Sequence, residues 1–76
     1  MSIFPILTPK QLLAILLKAG FRIIRQKGSH IWIRHVITYR GVTIAMHAKD
    51  FSRGMISKIL KQAGISIQEF LRLLGK

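Results

Sequence analysis

His30-Ile31-Trp32-Ile33-Arg34-His35 is the stretch on which the fold turns. Its apolar residues recur at every second position, the period of a strand, so Ile31 and Ile33 share one face and His30, Trp32 and Arg34 the other. A strand patterned in this way belongs to a sheet with one packed face and one wet face. Just upstream, Gln26-Lys27-Gly28-Ser29 supplies turn chemistry, and before it Phe21, Ile23 and Arg25 alternate with Arg22 and Ile24. Downstream, Val42-Thr43-Ile44-Ala45-Met46-His47 alternates again after a connection ending in Arg40-Gly41 that suits a hairpin. Three antiparallel strands are the simplest assembly. Setting Ile33 against Ile44, apolar to apolar, brings His30 opposite His47, whereas a two-residue slip keeps the face and changes the partner.

Helices flank these strands. Thr8-Pro9-Lys10-Gln11 combines an N-cap residue, proline at the first helical position and a glutamine three residues beyond the cap. The helix it opens carries Leu12, Leu13, Leu16, Leu17 and Ala19 on a wide apolar face and should stop at Gly20. Ser52 caps a second helix with Met55, Ile56, Ile59, Leu60 and Ala63 as its stripe and Gly64 as its end. Ser66-Ile67-Gln68-Glu69 is a capping box for a short last helix with Ile67, Phe70, Leu71 and Leu74 on one side. The expected architecture is an α+β domain of order α-β-β-β-α(-α), with helices on one face of a three-stranded antiparallel sheet and the other face bare. At 76 residues the chain is expected to be one domain, 1–76, with residues 1–7 an irregular N-terminal segment.

Half of the residues are apolar, enough for a packed interior. Thirteen Lys and Arg face only Asp50 and Glu69, a formal net charge of +11 distributed along the chain. Such a field opposes compaction unless a polyanion or an acidic partner neutralises it, which makes nucleic acid the leading candidate ligand. The longest apolar run, Leu12 to Leu17, is far shorter than the ~20 residues a membrane span needs. The leading MSIFPIL has no Lys or Arg and no small-residue cleavage pattern, so neither a membrane role nor a secretory leader is expected. Without cysteine there is no disulfide framework or thiolate metal site, a usage that fits the cytoplasm. With no paired carboxylate, nucleophilic thiol or phosphate-binding glycine loop, most enzyme classes fall away, and neither a metal nor a small-molecule cofactor is expected.

What remains is chemistry suited to a phosphodiester. Cleaving RNA without a metal requires a group that takes a proton from a ribose 2′-hydroxyl or a water, and histidine does this near neutral pH. His30 on the bare face is the candidate, although on residue pattern alone a surface strand histidine without a role is the favoured reading. His35 shares its parity with Ile31 and Ile33, so it is expected to pack or hydrogen-bond at the strand end. Around His30, the candidates for contact with RNA are Lys27, Gly28, Ser29, Trp32, Arg34, His47 and Lys49, with a second catalytic role and plain structural hydrogen bonding equally open for His47 at its strand end. The cations would meet phosphate, the Gly28-Ser29 backbone could approach it closely, and Trp32 could stack on a base or lie under a partner protein. Arg53, Lys58 and Lys61 on the second helix are further candidates for phosphate contact, with a merely solvated charged face as the alternative.

Gln26-Lys27-Gly28-Ser29-His30, the following Arg34-His35, and Gly54 to Gly64 ending in Ile59-Leu60-Lys61-Gln62-Ala63-Gly64 together resemble the HicA family over roughly Leu12 to Leu74. The resemblance implies a double-stranded-RNA-binding-domain-like fold and a toxin that cleaves mRNA without a metal. It implies His30 as the catalytic residue and a cognate HicB-type antitoxin as partner. Where the family commonly has proline near the end of the third strand, this chain has Ala45. The alternative within the same fold is a module that binds RNA by shape and charge without cutting it.

Overall fold

A computed structural model describes residues 6–47 and 49–75. Its elements run α1 (Pro9–Lys18), β1 (Phe21–Lys27), β2 (His30–His35), β3 (Gly41–Ala45), α2 (Arg53–Ala63) and α3 (Ile67–Leu73). The strands form one antiparallel sheet in the order β1-β2-β3, giving the expected α+β arrangement with helices on one side. Of the segment 1–7 expected to be irregular, residues 1–5 lie outside the described residues. Leu7 is buried and bridges to Phe51, whose N–H donates to the Leu7 carbonyl at 2.7 Å.

Local chemistry sets the helix boundaries. The Thr8 hydroxyl accepts from the Gln11 N–H and the Gln11 side chain accepts from the Thr8 N–H, completing a capping box at the start of α1. Ser52 caps α2 through the Met55 N–H, and Gly64 ends it. At α3 only half of the anticipated box is described: Ser66 accepts from the Glu69 N–H, while the Glu69 carboxylate pairs with Arg72 one turn on. Two apolar residues placed on packed faces from sequence, Met55 and Ile67, are instead exposed.

The core lies between the helices and one sheet face. Ile31 and Ile33 from β2, Val42 and Ile44 from β3, Leu12 and Leu16 from α1, Ile56, Ile59 and Leu60 from α2, Phe21 and Phe70 form one buried cluster. Burying each such side chain fully contributes on the order of 1.5–3 kcal/mol, so this cluster is what holds the sheet against the helices. Cover stops short of β1: only Phe21 of that strand is buried, and Ile23 and Ile24 are exposed on what is an edge strand.

Two features of the sheet depart from the sequence reading. Between β2 and β3, Ile31 faces Ile44 and Ile33 faces Val42, so His30 stands opposite Ala45 rather than His47. Both registers oppose apolar to apolar, and alternation alone does not separate them. In β1 the register shifts between Ile23 and Arg25, a β-bulge. Beyond it Arg25 pairs with Trp32 and Lys27 with His30, so the bulge turns Arg25 from the side of Phe21 to the bare side.

Candidate nucleic-acid interface

The bare face is assembled from the residues that β1 and β2 send away from the core. Directly paired residues of antiparallel strands share a face. Arg22 with Arg34, Arg25 with Trp32, and Lys27 with His30 therefore form three cross-strand rows. The Arg25 guanidinium sits 5.3 Å from the centroid of the Trp32 ring, a cation–π contact. At the far end Arg34 lies 5.9 Å from the ring of Tyr39, which holds a left-handed φ of 63° in the β2–β3 connection. The Glu69–Arg72 ion pair lies on α3 and involves no cation of this face, and among the described residues no ion pair is seen for Arg22, Arg25, Lys27 or Arg34. The face thus carries unneutralised positive charge.

The β1–β2 connection is the two-residue turn Gly28-Ser29, with φ of +58° at Gly28 and no such value at Ser29, the type II′ pattern that fits the twist of paired strands. A Cβ placed at Gly28 would meet nothing within 4 Å, so this backbone is open to solvent. Ser29 ties the turn to the end of β3. Its carbonyl accepts from the Met46 N–H at 2.6 Å, and its Oγ shares a hydrogen bond of 3.0 Å with His47 Nδ1. These two contacts bring His47 back over the strand ends, which is why it reaches His30 despite the shifted register. The two imidazole centroids are 5.5 Å apart with planes inclined at 61°. Trp32 flanks His30 on the other side, with centroids 6.1 Å apart. His30 and His47 are both exposed, and no described side chain hydrogen-bonds to the His30 ring.

His35 behaves differently. Its Nδ1 accepts from the N–H groups of Ile37 (3.1 Å) and Thr38 (3.2 Å), which requires the proton on Nε2; that nitrogen donates to the Ala19 carbonyl at 3.0 Å. Its ring packs edge-on against Phe21, with centroids 5.1 Å apart. This histidine closes the β2–β3 connection over the end of α1 and has no free nitrogen to offer a ligand.

The structure therefore gathers Lys27, Gly28, Ser29, His30, Trp32 and His47 at one end of the bare face and places Arg34 further along it. Arg34 stands four residue steps along the strand from His30, roughly 13 Å at ~3.3 Å per residue. Lys49 is exposed in the loop after β3 with no described contact to the imidazole pair. Arg53, Lys58 and Lys61 belong to the helix layer. The stripe Ile56, Ile59, Leu60 and Ala63 turns toward the core, so Lys58 and Lys61, at helical spacing from it, look away from the sheet. The sequence reading missed Arg25, because straight alternation assigns it to the side of Phe21; nothing short of locating the bulge reveals it. A shallow concavity of about 220 Å³ lined by Ser66, Gln68, Glu69 and Arg72 includes none of these face residues. No helix among the described residues is long and apolar enough to cross a membrane.

Fold and face together define a small α+β protein whose sheet is helix-covered on one side and open, aromatic and cationic on the other. The family model described as HicA toxin of bacterial toxin-antitoxin matches residues 9–65, and the chain belongs to that family. The matched span runs from the first residue of α1 to just past α2 and so contains the whole sheet. Comparison with curated proteins finds no match.

Proposed function

We propose that this toxin is a metal-independent endoribonuclease that cuts mRNA on the bare sheet face, with His30 as its proton-transfer group. The observation that carries the reading is the exposed His30–His47 pair, 5.5 Å apart, standing beside Trp32 and across from Lys27. His30 takes a proton from the attacking oxygen, a 2′-hydroxyl or a water. Lys27 starts from the neighbouring strand directly opposite, about 5 Å away, and is placed to offset charge developing on the phosphate. Arg25 steadies Trp32 so that the indole can stack on an unpaired base. Arg34, further along, grips a neighbouring phosphate rather than the scissile one, and the open backbone at Gly28 lets the RNA approach closely.

The family match carries the toxin role and an antitoxin as the kind of partner. In this reading the antitoxin is of the HicB type and silences the toxin by covering the cationic face, which also relieves its self-repulsion. Messenger RNA as substrate puts the protein to work in the cytoplasm. The test is purified chain incubated with labelled single-stranded RNA in the presence of a chelator. Progressive cleavage is expected; RNA that stays bound and intact would refute the nuclease reading and leave a module that only binds.

A further inference from the structure

His47 has a feature that His30 lacks: a fixed partner on one ring nitrogen. The Ser29 hydroxyl lies 3.0 Å from His47 Nδ1 and can either donate to a neutral imidazole or accept from an imidazolium. It therefore holds the ring in one orientation through both protonation states, with Nε2 free. Such anchoring suits a group that must release a proton in one step and regain it in the next. Nothing in the core accounts for the arrangement, since His47 is exposed and lies beyond the last residue of β3.

We propose that His47 is a second catalytic residue, the general acid that protonates the departing 5′-oxygen, and that Ser29 is its positioning residue. The proposal rests on the nuclease reading with His30 as base. Displacement at phosphorus puts the attacking and departing oxygens on opposite sides, so base and acid must come from different directions. Two rings 5.5 Å apart and inclined at 61° meet that requirement better than a stacked pair. His30 accepts the 2′-hydroxyl proton as the 2′-oxygen bonds to phosphorus. The bond from phosphorus to the 5′-oxygen breaks, its electron pair stays on that oxygen, and His47 Nε2 delivers the proton. The products are a 2′,3′-cyclic phosphate and a 5′-hydroxyl, with His30 protonated and His47 neutral; exchange with water restores both.

The experiment compares an RNA oligonucleotide with the same oligonucleotide carrying sulfur in place of the 5′-bridging oxygen at the linkage the parent protein cuts. A thiolate departs without protonation, so the sulfur substrate needs no acid. His47→Ala should lose about 10²–10⁴-fold on the oxygen substrate and come within about tenfold of the parent on the sulfur one, whereas His30→Ala should be slow on both. Ser29→Ala should reproduce the defect of His47→Ala in milder form, again only with oxygen, and Ser29→Thr should restore the rate. Parental cleavage of the oxygen substrate by His47→Ala, or an equal loss on both substrates, would overturn the assignment of His47. Parental rates for His30→Ala on both would instead remove the nuclease reading on which it rests.

Discussion

Replacing Gly20 with alanine perturbs the joint between α1 and β1, and its cost can be worked out from the surroundings. Gly20 has φ of +108°, where a Cβ is strained, at about 1–2 kcal/mol. That Cβ would also stand 2.8 Å from His35 Nε2, the atom that donates to the Ala19 carbonyl. Moving the ring away breaks this bond and disturbs the two N–H groups held by Nδ1, a further loss of roughly 1–2 kcal/mol. The expected total is about 2–4 kcal/mol, against a stability of roughly 4–11 kcal/mol for a chain of this length. Gly28→Ala is the internal control: φ there is +58°, but a Cβ meets nothing within 4 Å, so only the conformational cost applies. Urea denaturation followed by circular dichroism should show a lower midpoint for Gly20→Ala than for Gly28→Ala with unchanged slopes. In thermal scans, Gly20→Ala should melt about 10–30 °C below the parent. Equal midpoints for the two variants would refute the claim that His35 is locked against Gly20 as a structural histidine.

Trp32→Ala should weaken binding to single-stranded RNA by about 1–3 kcal/mol, the worth of one base stack, in filter-binding or anisotropy titrations; unchanged affinity would show that no base stacks there. Arg34→Ala should weaken binding and lower the log–log salt slope by about 0.7, the loss of one phosphate contact, whereas Lys58→Ala, on the outer side of α2, should leave the slope unaltered; an unchanged slope for Arg34→Ala would show that it grips no phosphate. Ile33→Ala, at the centre of the core, should cost about 2–5 kcal/mol in urea denaturation and place the domain near its unfolding threshold.

Much of this fold is written in local chemistry. Thr8-Pro9, Ser52, Gly64 and Ser66 mark helix ends through hydrogen bonds made within a few residues, and such signals survive whatever the tertiary structure does. The alternation of β2 is equally legible because both of its neighbours are strands and its apolar side meets the core. The register of β3 was not, since Ile33 can face either Ile44 or Val42 with the same gain in apolar contact. What selects the observed pairing lies outside the strands. The chain turns between His35 and Arg40 with Tyr39 at positive φ, a conformation no one expects of tyrosine, and the His35 ring nitrogen collects the loop N–H groups. The bulge in β1 was hidden for a related reason: on an edge strand left mostly uncovered, Ile23 and Ile24 are both exposed, so the hydrophobic pattern no longer reports the face. The site followed suit. His30 and Trp32 were readable from parity, whereas the nearness of His47 depends on the Ser29 contacts, and Arg25 on the bulge.

The most direct measurement is a comparison of purified parent and His30→Ala proteins, scored for both binding and cleavage of the same labelled RNA. His30 is exposed and makes no hydrogen bond with a described side chain, so the variant should fold and bind as the parent does. Cleavage should fall by about 10²–10⁴-fold. A variant that binds and cuts at the parental rate would show that the imidazole at position 30 takes no part in the chemistry.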